Sequence, residues 1–361
     1  KEQTTALDGV VVVGYGTVKK SDLTGSVGEV NMKDLAKAPV ATMEQALAGR
    51  IAGVQVSSDE GQPGGGMNIV IRGGNSLTQS NSPLYVIDGF PVEDAISSVL
   101  NPKDIESVTV LKDASATAIY GSRGANGVIV VETKKGKIGL PVLSYDGSIG
   151  FQDVTNKMDL MSAYDFVKYQ LEINPAIATS TYLTGPNRVL EDYYQIKPID
   201  WQDKMFGLAP LQIHNLSLSG GTDQTKYSIS GSIFDQEGVI VNSGYNRYQG
   251  RFLLDQRINK KLRLFVNLNT SSEKSYGQPV SSSRSTSGQA YSTYLMYQIW
   301  GYRPIPTEGT DLEENPIDES ANDSRFNPYL SAKNEIRKQT TSTLFANARI
   351  NYSISKNFDL A

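Results

Sequence analysis

The residues able to do covalent or metal chemistry are scarce in this sequence. It holds one histidine, His214, and no cysteine. A His-rich metal centre, a Cys-based site, a disulfide framework and a Cys–His nucleophile pair are therefore all excluded. Two glycine runs, Gly64–Gly66 and Gly121–Gly127, invite a phosphate-loop reading. Neither carries the Lys-Ser/Thr of a P-loop or the G-x-G-x-x-G spacing, so both read as tight turns. The stretch Asp311–Asp323 carries six carboxylates (Asp311, Glu313, Glu314, Asp318, Glu319 and Asp323). Oxygen ligands of this kind can hold Ca²⁺ in an external loop, but the EF-hand spacing is missing and a solvated loop is the simpler reading. No pair of carboxylates stands out as a glycosidase site. No catalytic residue, metal ligand or cofactor is nominated, and an enzyme is not expected.

Three groups of residues suit binding or load-bearing instead. Tyr291, Tyr294, Tyr297, Trp300 and Tyr302 fall close together. Their rings could stack on sugars or clamp a peptide, or could pack the loop that holds them. Arg72 and Arg123 lie in IRG and YGSRG. A buried guanidinium needs a carboxylate, and Glu106 and Glu132 are the candidate partners, in a structural role. Val10–Val13 is an unbroken β-branched run flanked by Gly9 and Gly14. Such a run prefers extended backbone and can add as a strand to a partner's sheet edge.

The elements that hold these residues divide the chain into three. Residues 1–26 form a polar lead segment around the valine run. Residues 27–137 read as a compact mixed α/β domain, with short strands at Val54–Ser57, Asn68–Arg72, Leu84–Ile87, Ser107–Leu111 and Val128–Thr133. Thr42 can cap a helix that stops at Gly49. Asn101–Pro102 can open a turn, Asp113 can cap Ala114–Tyr120 ahead of Gly121, and Asp88–Gly89 marks a hairpin turn.

Residues 138–361 change to long strands of period two. Leu262, Leu264, Val266 and Leu268 alternate with Arg263, Asn267 and Asn269. Ala346, Ala348, Ile350, Tyr352 and Ile354 alternate with Asn347, Arg349, Asn351 and Ser353. Four earlier segments repeat the pattern and a seventh strand begins at Phe358. The connections alternate too: short ones at Gly220–Gln224, Asn259–Lys261 and Ser355–Asn357, longer ones at about 152–212, 235–244 and 270–340. Short and long connections in turn are the mark of an outer-membrane barrel. A soluble sandwich also alternates, but with shorter strands and a drier second face. The net charge of −4 offers no basic surplus for nucleic acid. No run approaches the ~20 apolar residues of a membrane helix. A mean hydropathy of −0.31 suits barrel strands, whose two faces average out. Seven strands would leave unpaired edges in lipid, so the strands that complete the wall are expected outside this sequence.

Four stretches resemble the SusC/RagA-type family of TonB-dependent outer-membrane transporters: Leu7–Val27, Ala46–Leu77, Pro83–Val92 and Leu100–Lys137. Asp200–Phe206 and His214–Ile240 carry the likeness into the strands. The resemblance implies an antiparallel transmembrane β-barrel of about 22 strands with an N-terminal plug in its lumen, of which this chain is a part. It implies import of an oligosaccharide or oligopeptide, energised by TonB, with a SusD-like surface lipoprotein as lid. Asp8, Gly9, Val10, Val11, Val12, Val13 and Gly14 resemble the TonB box. A non-transporting receptor or signal transducer on the same scaffold is the alternative. The family's usual N-terminal extension does not precede Lys1.

Overall fold

In the computed structural model the described residues are 10–13, 16–19, 27–30, 40, 42–58, 61–74, 76, 78, 80–92, 99–184, 189–278, 295–305, 327–355 and 358–360. The valine run is strand β1 (Val10–Val13), paired antiparallel with β2 (Gly16–Lys19) in a sheet of two. It is therefore extended, as its β-branched residues require, and it is not a strand of the domain that follows.

That domain is built on a five-stranded sheet. Its strands are β3 (Val27–Glu29), β6 (Leu84–Ile87), β7 (Phe90–Val92), β8 (Ile105–Leu111) and β9 (Val128–Thr133), in the order β3-β8-β9-β6-β7. A separate hairpin joins β4 (Val54–Ser58) to β5 (Met67–Ile71). Strand β9 runs parallel to β6 and antiparallel to β8. It is covered on both faces: Ile129 and Val131 enter one apolar cluster with Met43, Leu47 and Val108, while Val128 and Val130 enter another with Leu84 and Leu111. A strand buried on both sides reads as a continuous hydrophobic run, which is why Val128–Val131 has no alternation.

The turn chemistry follows the residues. Thr42 Oγ1 accepts from Gln45 N (3.3 Å) at the start of the helix Met43–Leu47, and Gly49 closes it at φ 70°. Asn101 Oδ1 accepts from Lys103 N (2.9 Å) to open a 3-10 turn at Pro102–Asp104. Asp88 and Gly89 both have positive φ (50° and 88°) between β6 and β7, the backbone a two-residue hairpin turn demands. Asp113 departs from expectation. It precedes the helix Ala114–Thr117 but makes no side-chain cap bond, because its carboxylate is taken by Arg72.

The remaining strands form one seven-stranded antiparallel meander. They are β10 (Gly139–Gln152), β11 (Ala209–Gly221), β12 (Thr225–Glu237), β13 (Gly244–Arg257), β14 (Leu262–Tyr276), β15 (Lys338–Ser355) and β16 (Phe358–Leu360). Register aligns the alternation across the sheet. Leu143, Leu218, Ile229, Phe252, Leu268 and Ala346 form one row across six strands. The next row is Ser144, Ser217, Ser230, Arg251, Asn269 and Phe345. A slip of one residue would exchange the two faces, so the pattern fixes the register. The apolar row lies on the outside, with Leu143 67% and Leu268 39% exposed. Among the described residues no helix is long and apolar enough to cross a membrane.

The second long connection expected from the sequence is corrected: β12 runs on to Glu237 and β13 begins at Gly244, leaving six residues, 238–243. The other two long connections contract to 153–208 and 277–337, because the strands extend further than their alternation shows. Their described parts include helices at Ala163–Ile173, Pro175–Tyr182, Trp201–Met205, Leu295–Gly301 and Pro328–Lys333. Val167 of the first of these is fully buried in the loop's own apolar cluster.

A fluorophore attached through cysteine at Leu268 or Ile350 is expected to be quenched by brominated lipid. One at Ser144, which is on the inward row and exposed, is expected to be indifferent to it. The reverse pattern would invert the wall. Aqueous labelling cannot serve as the control at Asn267, which is 0% exposed.

Candidate functional site

The mixed domain sits against the inner face of the wall through polar side chains. Asn101 Nδ2 donates to Asn215 Oδ1 (2.6 Å), Ser230 Oγ donates to Asp104 Oδ2 (2.6 Å), and Lys103 pairs with Asp146 (2.9 Å). Further round the wall, Asn267 Nδ2 donates to Asp88 Oδ2 (2.7 Å). Asp88 also accepts from Thr133 N (3.0 Å) and Thr133 Oγ1 (2.7 Å). The hairpin turn at Asp88 thus joins two strands of its own sheet and the wall through one carboxylate.

Arg251 is the most engaged inner-wall residue. It is 5% exposed and donates to Thr133 Oγ1 and to Lys134 O (3.1 Å from each terminal nitrogen). It also attracts Asp104 and Asp88. Arg349 lies over the Phe90 ring at 5.0 Å, and Phe345 packs on the domain's main apolar cluster. Arg247, also buried, interacts electrostatically with Glu44 of the mixed domain and with Glu273 of β14. Tyr85 Oη donates to Glu44 Oε1 (3.3 Å).

Burial drives the carboxyls of Glu44 and Asp104 above the ordinary range. Arg251, Ser230 and Lys134 offset this in part at Asp104; at Glu44 a backbone N–H, Thr42, Tyr85 and Arg247 do so. A raised carboxyl takes up a proton in the folded state at a pH where the unfolded chain has released it. Stability is therefore expected to rise as pH falls from neutrality towards the ordinary carboxylate range, by at most about 1.4 kcal/mol per pH unit for each group. Urea unfolding at neutral and mildly acid pH measures this, and Glu44→Gln should flatten the dependence.

The arginines nominated from sequence are placed differently. Arg72 is half-exposed, at φ 57°, and its ion-pair partner is Asp113. Arg123 is exposed. Glu106 is exposed on β8 and Glu132 is half-buried on β9. The expectation that buried Arg72 and Arg123 meet Glu106 and Glu132 is corrected for Arg72: a solvent-facing guanidinium at a strand end reaches the nearest carboxylate, which comes from the helix-start loop. Buried Arg247 and Arg251 belong to the wall, where the lumen face supplies them and the mixed domain covers them, while buried Arg303 belongs to the loop beside Trp201.

Of the aromatic group, Tyr291 and Tyr294 lie outside the described residues. Tyr302 is 4% exposed and stacks edge-on against Trp201 (5.2 Å), whose Nε1 donates to Arg303 O (2.9 Å). Trp300 packs on the same cluster, and Tyr297, edge-on to it at 6.2 Å, is half-exposed. Packing accounts for Tyr302 and Trp300, leaving Tyr297 the most accessible described ring of this group. His214 Nδ1 shares a 2.8 Å hydrogen bond with Tyr145 Oη. The acidic stretch 311–323 and the flanking Asp8, Gly9 and Gly14 also lie outside the described residues. Among those described, no group of His, Asp or Glu could hold a metal ion.

A domain seated by polar contacts against a wall of membrane-length strands, with an apolar outer face, is the architecture of a plugged barrel. Residues 19–128 match the family described as the TonB-dependent Receptor Plug Domain. The chain is 39% identical over 343 residues to TonB-dependent receptor P3 of Formosa agariphila, and 42% identical over 256 residues to TonB-dependent receptor SusC of Bacteroides thetaiotaomicron. Those alignments cover 94% and 69% of this chain. The chain belongs to the SusC/RagA-type TonB-dependent transporters. It spans only 32% and 24% of those two relatives' own lengths. Among solved structures it resembles the RagAB peptide importer in its open-open state, at 30% identity and a TM-score of 0.77, covering 96% of this chain and 41% of that one. The mixed domain is thus the plug, and the wall is part of an outer-membrane β-barrel.

Neither the Asp88–Asn267 nor the Arg251–Thr133 contact was foreseeable from sequence, since their partners lie more than a hundred residues apart in separate patterns. The one available signal was Arg251 on the polar face of an alternating strand.

Proposed function

We propose that the protein containing this chain imports a large polar nutrient, an oligopeptide or an oligosaccharide, across the outer membrane, energised by TonB and assisted by a SusD-like surface lipoprotein. The observation that carries this reading is the seat of the plug. Side-chain hydrogen bonds such as Asn101–Asn215 and Ser230–Asp104 hold it to the wall. Each is worth only about 0.5–1.5 kcal/mol net, because water replaces it when the surfaces part. A plug held this way can be shifted by a pull and can reseat, which an apolar interface of the same size would resist.

The pull enters at Asp8–Gly14. Val10–Val13 is extended and lies outside the plug sheet, so TonB can add a strand to it without unfolding the plug. The likeness to a TonB-dependent receptor, SusC, and to the RagAB peptide importer supports TonB-dependent uptake, with a peptide as one cargo class.

Cells making the intact protein with its lipoprotein, given fluorescent pools of hexapeptides and of malto-oligosaccharides, test this. Uptake of one pool should stop when TonB is removed, while surface binding remains. Uptake unchanged without TonB would contradict the proposal.

A further inference from the structure

A cavity of about 190 Å³ lies where the outer edge of the plug meets β13, β14 and β15. The plug contributes the turn at Gln62–Gly65 and the wall contributes Tyr245, Glu273, Ser275, Arg337 and Gln339. Two of these residues carry opposite charge into one small space. Glu273 accepts from Tyr245 Oη at Oε2 (3.0 Å), while its Oε1 has no hydrogen-bond partner. Arg337 is exposed; its backbone O accepts from Gly277 N (3.2 Å), and its N–H donates to Glu335 Oε1 (3.1 Å). Arg247 faces Glu273 from the wall and is shared with Glu44. Ser275, Gln339 and Gln62 add hydroxyl and amide groups to the lining.

The plug side of the cavity is built closely. Gly64 has φ 70° and Gly65 N donates to Gln62 O (2.8 Å), which turns the loop tightly. The Tyr245 ring sits on Gly64 so closely that a Cβ there would overlap it. The same tyrosine therefore touches the plug turn, holds one oxygen of Glu273 and lines the cavity.

We propose that this cavity is a binding subsite for a short zwitterionic segment, with an ammonium group at Glu273 and a carboxylate at Arg337. The inference rests on the import reading for its purpose but not for its test. A neutral sugar could use the hydroxyl and amide groups equally well. Only a solute with both charges uses Glu273 and Arg337 together, and a carboxylate oxygen without a donor is the feature a cation would satisfy. The volume suits about two small residues, so the solute that uses both charges is a free dipeptide, or a basic and an acidic side chain on neighbouring residues of a longer peptide.

Binding to the intact, detergent-solubilised transporter by ligand-observed NMR decides the matter, with diglycine, N-acetyl-diglycine, diglycinamide and maltose as probes. Diglycine is expected to bind, and acetylation or amidation to weaken it roughly tenfold each. Glu273→Gln should lower diglycine binding as acetylation does and have no further effect on the acetylated probe. Arg337→Gln should stand in the same relation to the amide. Gly64→Val, which drives Tyr245 from its seat, should weaken diglycine without altering the acetyl-to-free ratio at Arg337→Gln. Maltose binding as tightly as diglycine, or diglycine binding indifferent to both charge variants, would overturn the proposal. TonB-independent behaviour in cells with this binding pattern intact would instead count against import alone.

Discussion

Replacing Val12 by proline is expected to reduce uptake to the level of cells lacking TonB, while the protein inserts normally and still binds cargo at the surface. The reason lies in hairpin geometry. Val13 pairs with Gly16 across a connection of two residues, and Val12 pairs with Thr17. In an antiparallel pair, positions alternate between those bonded to each other and those whose N–H and C=O point away. A two-residue connection is flanked by a bonded pair, so Val13 and Val11 bond to β2 while Val12 and Val10 present their N–H groups outward. The outward edge is the one an incoming TonB strand can use. Proline at Val12 deletes one of its donors and leaves the hairpin's own bonds in place. Proline at Val11 should break the hairpin instead. Val12→Ile keeps the donor and the β preference, so uptake should stay within about twofold of the unsubstituted protein. Normal uptake by a correctly inserted Val12→Pro protein would mean that strand addition does not carry the force.

The second large effect is expected from Arg251→Met. Methionine keeps the apolar stem but not the guanidinium, so it gives up three hydrogen bonds to Thr133 and Lys134. It also strips Asp104 of its main compensating charge, in a site where burial already raises that carboxyl. Each hydrogen bond lost from a buried charged group costs about 1.5–3 kcal/mol. The plug should then leave its seat more often. Trypsin should cut the Lys134–Lys135 segment faster in the intact protein, and cells should admit large antibiotics that the outer membrane normally excludes. Arg251→Lys keeps the charge but loses the planar fork, so an intermediate effect is expected. Adding Asp104→Asn to Arg251→Met should recover part of the loss, since the orphaned carboxylate is gone. An Arg251→Met protein with unchanged protease resistance and permeability would show that the wall does not hold the plug through this residue.

Much of the fold was legible in the sequence because burial prints a period on it. Strands β10–β15 alternate because one face meets lipid and the other the lumen, and β9 does not alternate because both its faces are covered. Thr42, Asn101 and the Asp88–Gly89 turn were legible because their roles depend on backbone a few residues away. Asp113 was misread because the same carboxylate that caps a helix can be claimed by a guanidinium arriving from β5, and sequence gives no distance between them. The start of β11, the ends of β12 and β14 and the start of β15 were misjudged because strand backbone continues past the membrane, where the apolar half of the pattern is no longer required.

The site was less legible than the fold. Asn267 and Arg349 stand on the polar side of their strands' alternation, as Arg251 does on β13, but nothing in their neighbourhood names Thr133, Asp88 or Phe90 as partners. Those contacts depend on how the plug is rotated within the wall. That rotation follows from the sum of all the contacts, and no short segment encodes it. Tyr302 and Trp300 were nominated for their stacking faces, yet the helix Leu295–Gly301 turns them towards Trp201 and the loop core.

The central claim is that TonB grips this chain at Val10–Val13 by strand addition and pulls the plug through it. Its most direct test places a photo-crosslinking amino acid singly at Val10, Val12, Thr109 or Leu268 in the intact protein in living cells. The account predicts TonB adducts at Val10 and Val12, more abundant when cargo is present, and none at Thr109 inside the plug sheet or at Leu268 on the lipid face. Transport that continues with no TonB adduct at either valine would contradict it.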